Sequence, residues 1–249
     1  LRLNRDAMAL AERALEHFVN KTTDQAETTM EISLAAYRDE ERYSREIERV
    51  FKHLPLALAL SLELPEVGSF MAMTVLGVPL LIVRGEDLKV RAMLNVCRHR
   101  GAKLCEDGSG KKRIFACPYH AWTYDHKGAL KGRYGGDTFG EIANDRYGLT
   151  ALHCVERSGI VWASLTPGDF FDVDAWLGDF GDELNTLDLE NWHLYEQRDL
   201  PGPGWKVTMD GYLEAYHHQL VHRATGGKYT VGNLLVLDTY GPRQRLTDG

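Results

Sequence analysis

The sequence predicts an α+β protein in which a small antiparallel β domain sits between a helical N-terminal arm and the start of a second, mixed domain. Three observations carry this reading. Apolar residues recur at helical spacing near the N-terminus, and short β-rich runs separated by Gly and Asp turns fill residues 68–168. After Pro167 apolar and acidic residues mix again, before P-G-P-G at 201–204 punctuates the chain.

Taking the elements in order, Ala7, Leu10, Ala11, Ala14, Leu15 and Phe18 fit one face of a helix over 5–18, ended by the polar stretch 20–29. A second helical pattern from about 39 to 53 puts Tyr43, Ile47, Val50 and Phe51 on one face, opposite many charges. Residues 1–54 therefore read as a helical arm. Strands are expected at 70–76, 80–83, 89–96, 113–116 and 159–165, which places the β domain within 55–168. A second domain begins near 169, carries a helix from about Asp210, and is still running at Gly249, so the sequence reads as a fragment. No internal repeat or low-complexity tract interrupts it.

Composition narrows the function classes. The chain has 249 residues, 44% of them hydrophobic, enough for a substantial core. Its 29 Lys and Arg against 36 Asp and Glu give a formal charge of −7, which favours neither a nucleic-acid backbone nor an anionic membrane surface. The longest apolar stretches, 54–64 and 75–83, are too short to span a bilayer. The N-terminus lacks the apolar run and cleavage site of a secretory signal, so a cytoplasmic address is expected. Four cysteines are too few for a disulfide scaffold in a chain of this length.

Two of those cysteines alternate with histidines. Cys97 and His99 are one residue apart in C-R-H, and Cys117 and His120 two apart in C-P-Y-H. Two loops that each offer one thiolate and one imidazole supply what a [2Fe–2S] cluster of the Rieske type needs: two thiolates on one iron and two imidazoles on the other. The competing arrangement is a four-coordinate structural zinc site, although zinc fingers usually keep Cys with Cys and His with His along the chain.

A second constellation lies in D-G-Y-L-E-A-Y-H-H-Q-L-V-H, where His217, His218 and His222 accompany Asp210 and Glu214. These are ligand types of an open two-histidine, one-carboxylate iron(II) site. On a regular helix His218 and His222 share a face, whereas His217 and His222 are about 140° apart, so spacing alone favours 218 with 222. Asp210 equally suits a helix N-cap or first-turn acid.

N-V-C-R-H-R-G-A at 95–102, C-P-Y-H-A-W-T-Y-D at 117–125 and G-A-L at 128–130 resemble the cluster loops of the Rieske non-haem iron ring-hydroxylating oxygenases, α-subunit type, and residues 37–130 follow that family's pattern. The resemblance implies a Rieske domain followed by a helix-grip catalytic domain, with the arm packing against the latter. It implies an oxygenase component whose cluster, held by Cys97, His99, Cys117 and His120, relays electrons from a ferredoxin or reductase to a mononuclear iron that activates O2 for mono- or dioxygenation, as in aromatic hydrocarbon catabolism. The substrate would be a small organic molecule, and the assembly a trimer-type homo-oligomer or one with a β-subunit.

The family's pattern of acid, any residue, Tyr, His, four residues, His falls on Glu214, Tyr216, His217 and His222. By resemblance, then, His217 and His222 bind the iron, and Glu214 is the bridging acid between an iron ligand and the cluster histidine of a neighbouring subunit. Sharing one iron at a spacing of five would ask for a π-type turn between the two histidines. The third ligand, an Asp or Glu, lies far downstream in the family, beyond this sequence, and Asp238 is too close to the histidines to match. Respiratory Rieske proteins tie their loops with an extra disulfide, but Tyr119 stands where one of its cysteines would be. The resemblance thus implies a comparatively low potential and leaves Cys105 and Cys154 as small core residues. The principal alternative is a Rieske ferredoxin, an electron carrier without oxygenase chemistry, in which the arm and the second His/Glu cluster would have no use.

Overall fold

The computed structural model describes residues 5–248. In chain order it contains α1 (Arg5–Asn20), α2 (Ala35–Arg38) and α3 (Glu40–Glu46), followed by a π-helical turn at Ile47–Phe51. Strands β1 (Leu56–Leu60), β2 (Ser69–Val75), β3 (Val78–Arg84), β4 (Val90–Leu94), β5 (Gly108–Lys111), β6 (Phe115–Ala116), β7 (Thr123–Tyr124) and β8 (Leu130–Gly132) come next. Then follow β9 (Ala151–Leu152), β10 (Cys154–Arg157), β11 (Ile160–Ala163), α4 (Val173–Leu177), α5 (Phe180–Thr186), α6 (Trp205–Tyr212), α7 (His218–Val221), β12 (Leu235–Tyr240) and β13 (Arg243–Asp248). The strands expected from the sequence are present, with β4, β6 and β11 shorter than the runs that predicted them.

The chain divides into two compact units, one of residues 41–197 and one of residues 1–40 with 198–249. Residues 41–54 and 169–197, read from the sequence as arm and second domain, fall in the same unit as the three larger sheets.

In the 41–197 unit a five-stranded sheet runs β5-β2-β3-β4-β9, and three-stranded sheets run β1-β11-β10 and β6-β7-β8, with every pairing antiparallel. β3 explains why two cores form. Its sequence V-P-L-L-I-V is apolar without alternation because both faces are covered. Leu81 and Val83 join a core that contains Cys97, Cys117, Phe115, Trp122 and Tyr124. Leu80 and Ile82 join the other core, with Val161, Ala163 and Leu165. The β2–β3 turn is Leu76–Gly77, with φ of 50° and 80°, the paired left-handed turn that matches hairpin twist.

The other unit is a two-stranded hairpin, β12–β13, with α1 along it. Arg13 bonds Asp238 at 2.6 Å and Asp24 at 3.2 Å, and Arg245 bonds Asp238 at 2.7 Å. The Asp24 N–H donates to the Leu235 carbonyl, so the chain after α1 is stitched to the hairpin. Asp238 thus serves a structural ion network. Among the described residues no helix is long and apolar enough to cross a membrane.

Candidate functional site

The first candidate site is built from two loops of the 41–197 unit. The loop after β4 is pinned by buried Asn95, whose amide donates to the Cys105 carbonyl at 2.7 Å while its oxygen accepts the N–H groups of Leu104 and Cys105, each at 3.1 Å. The Cys97 N–H then donates to Ala102 O at 2.8 Å, and the Gly101 N–H returns to Cys97 O at 2.9 Å. The loop between β6 and β7 repeats the pattern: Cys117 N–H to Trp122 O at 2.8 Å, and Ala121 N–H to Cys117 O at 2.9 Å. Beyond it Gly128, at φ 79°, lies so close to Met93 that a Cβ would sit 2.6 Å from its sulfur, so only glycine closes the β7–β8 turn here.

These loops bring the four sequence-predicted residues together. Cys97 and Cys117 are buried free thiols in one core, and the rings of His99 and His120 lie 4.6 Å apart, edge to face. His99 stacks on Trp122 at 4.9 Å and 5°. Its Nδ1 is buried with no hydrogen-bond partner, a cost that a metal bond would remove. Burial first, then His120 and Arg100, hold His99 below the ordinary histidine range, favouring the neutral imidazole that a metal requires. Among the described residues no three His, Cys, Asp or Glu side chains converge as a single ion demands. A cluster of two irons asks instead for two pairs, one of thiolates and one of imidazoles. The donor set fits a [2Fe–2S] group.

Sequence reasoning assigned no role to Tyr124 beyond its place in the motif. Its hydroxyl accepts the Arg98 N–H at 3.1 Å and lies 3.4 Å from Cys97 Sγ. Burial, then the Cys97 contact, push its phenol upward, so it stays protonated and can donate to a thiolate. Cys105 is buried and Cys154 half-buried. Burial pushes the Cys154 thiol up to about 12, in keeping with a core residue.

The second site lies in the other unit. No continuous helix carries its histidines: α6 ends at Tyr212, and α7 spans only His218–Val221, with His217 and His222 as its caps. The expected π-type turn is absent. The Val221 and His222 N–H groups bond the carbonyls of His217 and His218 at ordinary α spacing, and the chain solves the geometry by breaking the helix instead. The ring centroids are 4.7 Å apart for His217 and His218, 5.3 Å for His217 and His222, and 5.7 Å for His218 and His222.

Glu214 accepts the His217 N–H at 3.1 Å, and its other oxygen meets His217 Nδ1. Despite the opposing effect of burial, those bonds hold Glu214 below the usual carboxylate range. His218 Nδ1 is likewise held, by Asp248, a partner thirty positions away that no spacing rule could find. Each carboxylate fixes a ring and leaves the second nitrogen for another partner, the arrangement of a metal-binding imidazole, so these residues fit part of an iron site. Asp210 caps nothing. It lies inside α6 and accepts a 2.6 Å bond from Tyr37. The three histidines line a cavity of about 790 Å³ with Leu200, Pro203 and Tyr212.

The sequence profile of the Rieske [2Fe-2S] domain matches residues 55–135, the part of the chain that holds Cys97, His99, Cys117 and His120. The similarity runs well past that domain. The oxygenase subunit of glycine betaine monooxygenase from Chromohalobacter salexigens is 28% identical over 188 residues, 75% of this chain and 42% of that protein. The large oxygenase component of salicylate 5-hydroxylase from Ralstonia sp is 32% identical over 204 residues, 75% of this chain and 48% of that one. The crystal structure of the quaternary ammonium Rieske monooxygenase CntA with L-carnitine superposes with a TM-score of 0.75 at 28% identity, covering 83% of this chain and 59% of that one. Over about three quarters of its length the chain is thus similar to the oxygenase components of Rieske non-haem iron oxygenases. It spans less than half the length of the two curated relatives named.

Proposed function

We propose that this chain acts in the oxygenase component of a multicomponent Rieske oxygenase. The observation that carries this is the presence, in one chain, of a Cys₂His₂ cradle and a carboxylate-backed histidine segment lining a cavity. A stand-alone Rieske ferredoxin has no use for the second, and the similarity to oxygenase subunits covers three quarters of the chain rather than the Rieske domain alone.

Cys97 and Cys117 would hold one iron of the cluster and His99 and His120 the other, with Tyr124 donating a hydrogen bond to the Cys97 sulfur. His217 and His222 would hold a mononuclear iron, with Glu214 keeping the His217 ring in one tautomer and orientation. When bound, the two groups supply one-electron relay and dioxygen activation. The cavity's apolar and aromatic lining suits a small organic substrate of the arene or quaternary-amine class, the kinds of compound named for its relatives. Residues 55–168 serve as the electron-relay domain, and 169–249, with the arm, belong to the catalytic domain. A ferredoxin or reductase as donor, a homo-oligomer and a cytoplasmic setting complete the proposal.

Anaerobically purified protein reconstituted with iron and sulfide should be red-brown and give the EPR signal of a reduced Rieske cluster. Cys97→Ser and His120→Ala should abolish it. A colourless protein with stoichiometric zinc overturns the proposal, and a coloured one that takes up no iron beyond the cluster overturns its oxygenase part.

A further inference from the structure

Positive charge is concentrated where the cluster loops are. Residues 97–133 hold nine Lys and Arg against three Asp and Glu, in a chain with 29 against 36. Within that stretch Lys111, the last residue of β5, and Lys112 and Arg113 just beyond it stand in a row, all exposed, bordering a hollow of about 300 Å³ with Val67, Glu86 and His126. Lys111 is paired with Glu66. Lys112 and Arg113 have no ion-pair partner among the described residues, and Lys112 instead lies over the Phe70 ring at 5.3 Å.

That contact leads inward. Phe70 meets Phe115 edge-on at 5.5 Å, and Phe115, fully buried, opens the two-residue strand β6 that delivers the chain to Cys117. Two packed aromatics and a short run of backbone therefore join the cationic row to a thiolate ligand of the cradle. The imidazole ligands, His99 and His120, are a separate pair.

We propose that this row is the docking face for an acidic one-electron-carrier protein, which delivers electrons on the thiolate side of the cluster and leaves the imidazole side for the outgoing electron. The inference rests on the functional reading above. In each encounter the carrier loses one electron and the oxidised cluster gains it, with no atom transferred. A chain with net charge −7 repels an acidic partner at long range, so a locally positive patch both admits and orients it. Such attraction is screened beyond about 10 Å at 0.1 M salt, so the association rate reports it.

The test mixes oxidised, cluster-loaded protein with a reduced, acidic plant-type [2Fe–2S] ferredoxin in a stopped-flow spectrometer across a range of ionic strengths. The wild-type rate constant should fall as salt rises. K112E/R113E should lower it at least ten-fold at low salt and flatten its salt dependence, with the visible spectrum and midpoint potential unchanged. K112Q/R113Q, which removes charge without adding any, should give a smaller loss in the same direction. Unchanged rates in both variants, or a loss confined to R98E/R100E on the first cluster loop, would overturn the docking face while the coloured protein upholds the Rieske reading. A colourless protein would overturn that reading itself.

Discussion

In the loops at 95–105 and 117–124 the backbone around each candidate ligand is fixed by hydrogen bonds between main-chain groups, and by Asn95 reaching across a turn. At 213–222 the chain leaves α6 and bends irregularly. There it places its histidines at the ends of a single helical turn, where side-chain carboxylates hold two of the rings. The first region sets ligand positions through the sheet; the second sets them through individual acids. Metal should be gained and lost accordingly, with the cradle behaving as a preformed site and the histidine segment as one whose affinity depends on each supporting side chain.

The largest effect expected from this contrast is on the mononuclear iron. Dialysis against a mild chelator should strip iron from the histidine segment while the cluster's visible band persists. Glu214→Ala should weaken that iron about 10–100-fold, as loss of a carboxylate behind a ligating imidazole does elsewhere. Titration of ferrous ion followed by competition with a chromophoric chelator measures it. His218→Ala sharpens the result: if it costs more affinity than His217→Ala, the ligand pair is 218 with 222. Equal losses of cluster and mononuclear iron would erase the contrast.

Much of the cradle was legible in the sequence because its ligands sit at short, fixed spacings, C-R-H and C-P-Y-H. The strands around it were legible because β3 is apolar from Val78 to Val83 and its neighbours are bounded by turn residues. The histidine segment was legible in composition but not in shape. Periodicity suggested one helix through Asp210 to His222, and nothing local announces the break between α6 and α7. The Asp248–His218 pair joins positions far apart in sequence, so only the folded hairpin brings them together. Tyr124 lay in plain view within the motif, but its contact with Cys97 depends on how two loops meet.

That contact gives a second, smaller prediction, confined to the cradle. A phenol donating to a cluster thiolate favours the more negative, reduced cluster, so Tyr124→Phe should lower the midpoint potential. A differential stabilisation of about 1 kcal/mol corresponds to about 45 mV for one electron. Protein-film voltammetry reads it, and an unchanged potential would mean that the hydroxyl serves only the Arg98 N–H.

The two units should also differ in acid. Asp24 lies below the usual carboxylate range, chiefly through the Leu237 N–H, and Asp238 does so against the cost of burial, through Arg245 and Arg13. Carboxylates depressed in the folded state contribute stability above their unfolded value of about 3.9, and lose that contribution as pH falls through the folded value. In the 41–197 unit several depressed acids, such as Glu66 and Asp107, are in exposed pairs that water screens. Below about pH 4 amide exchange should therefore accelerate first in α1 and β12–β13. Arg13→Ala should move that onset to higher pH.

The smallest expected effect separates the two cluster loops from one another. Both close with the same pair of main-chain bonds, and in both the residue four after the cysteine takes a left-handed conformation: Gly101 at φ 74° in the first and Ala121 at φ 52° in the second. An L-residue pays roughly 1–2 kcal/mol for that conformation, and glycine escapes it but gives up about 0.5–1 kcal/mol through its freer unfolded chain. Ala121→Gly should thus stabilise the loaded protein by about 0.5–1 kcal/mol, and Gly101→Ala should destabilise it by a similar amount. At Gly101 the cost is conformational alone, since a Cβ there would meet nothing nearer than Val96 Cγ1 at 4.0 Å. Urea unfolding followed at the cluster band measures both. If the two substitutions shift the midpoint in the same direction, the loops are alike only in their hydrogen bonds and Ala121 is held by contacts that outweigh its backbone strain.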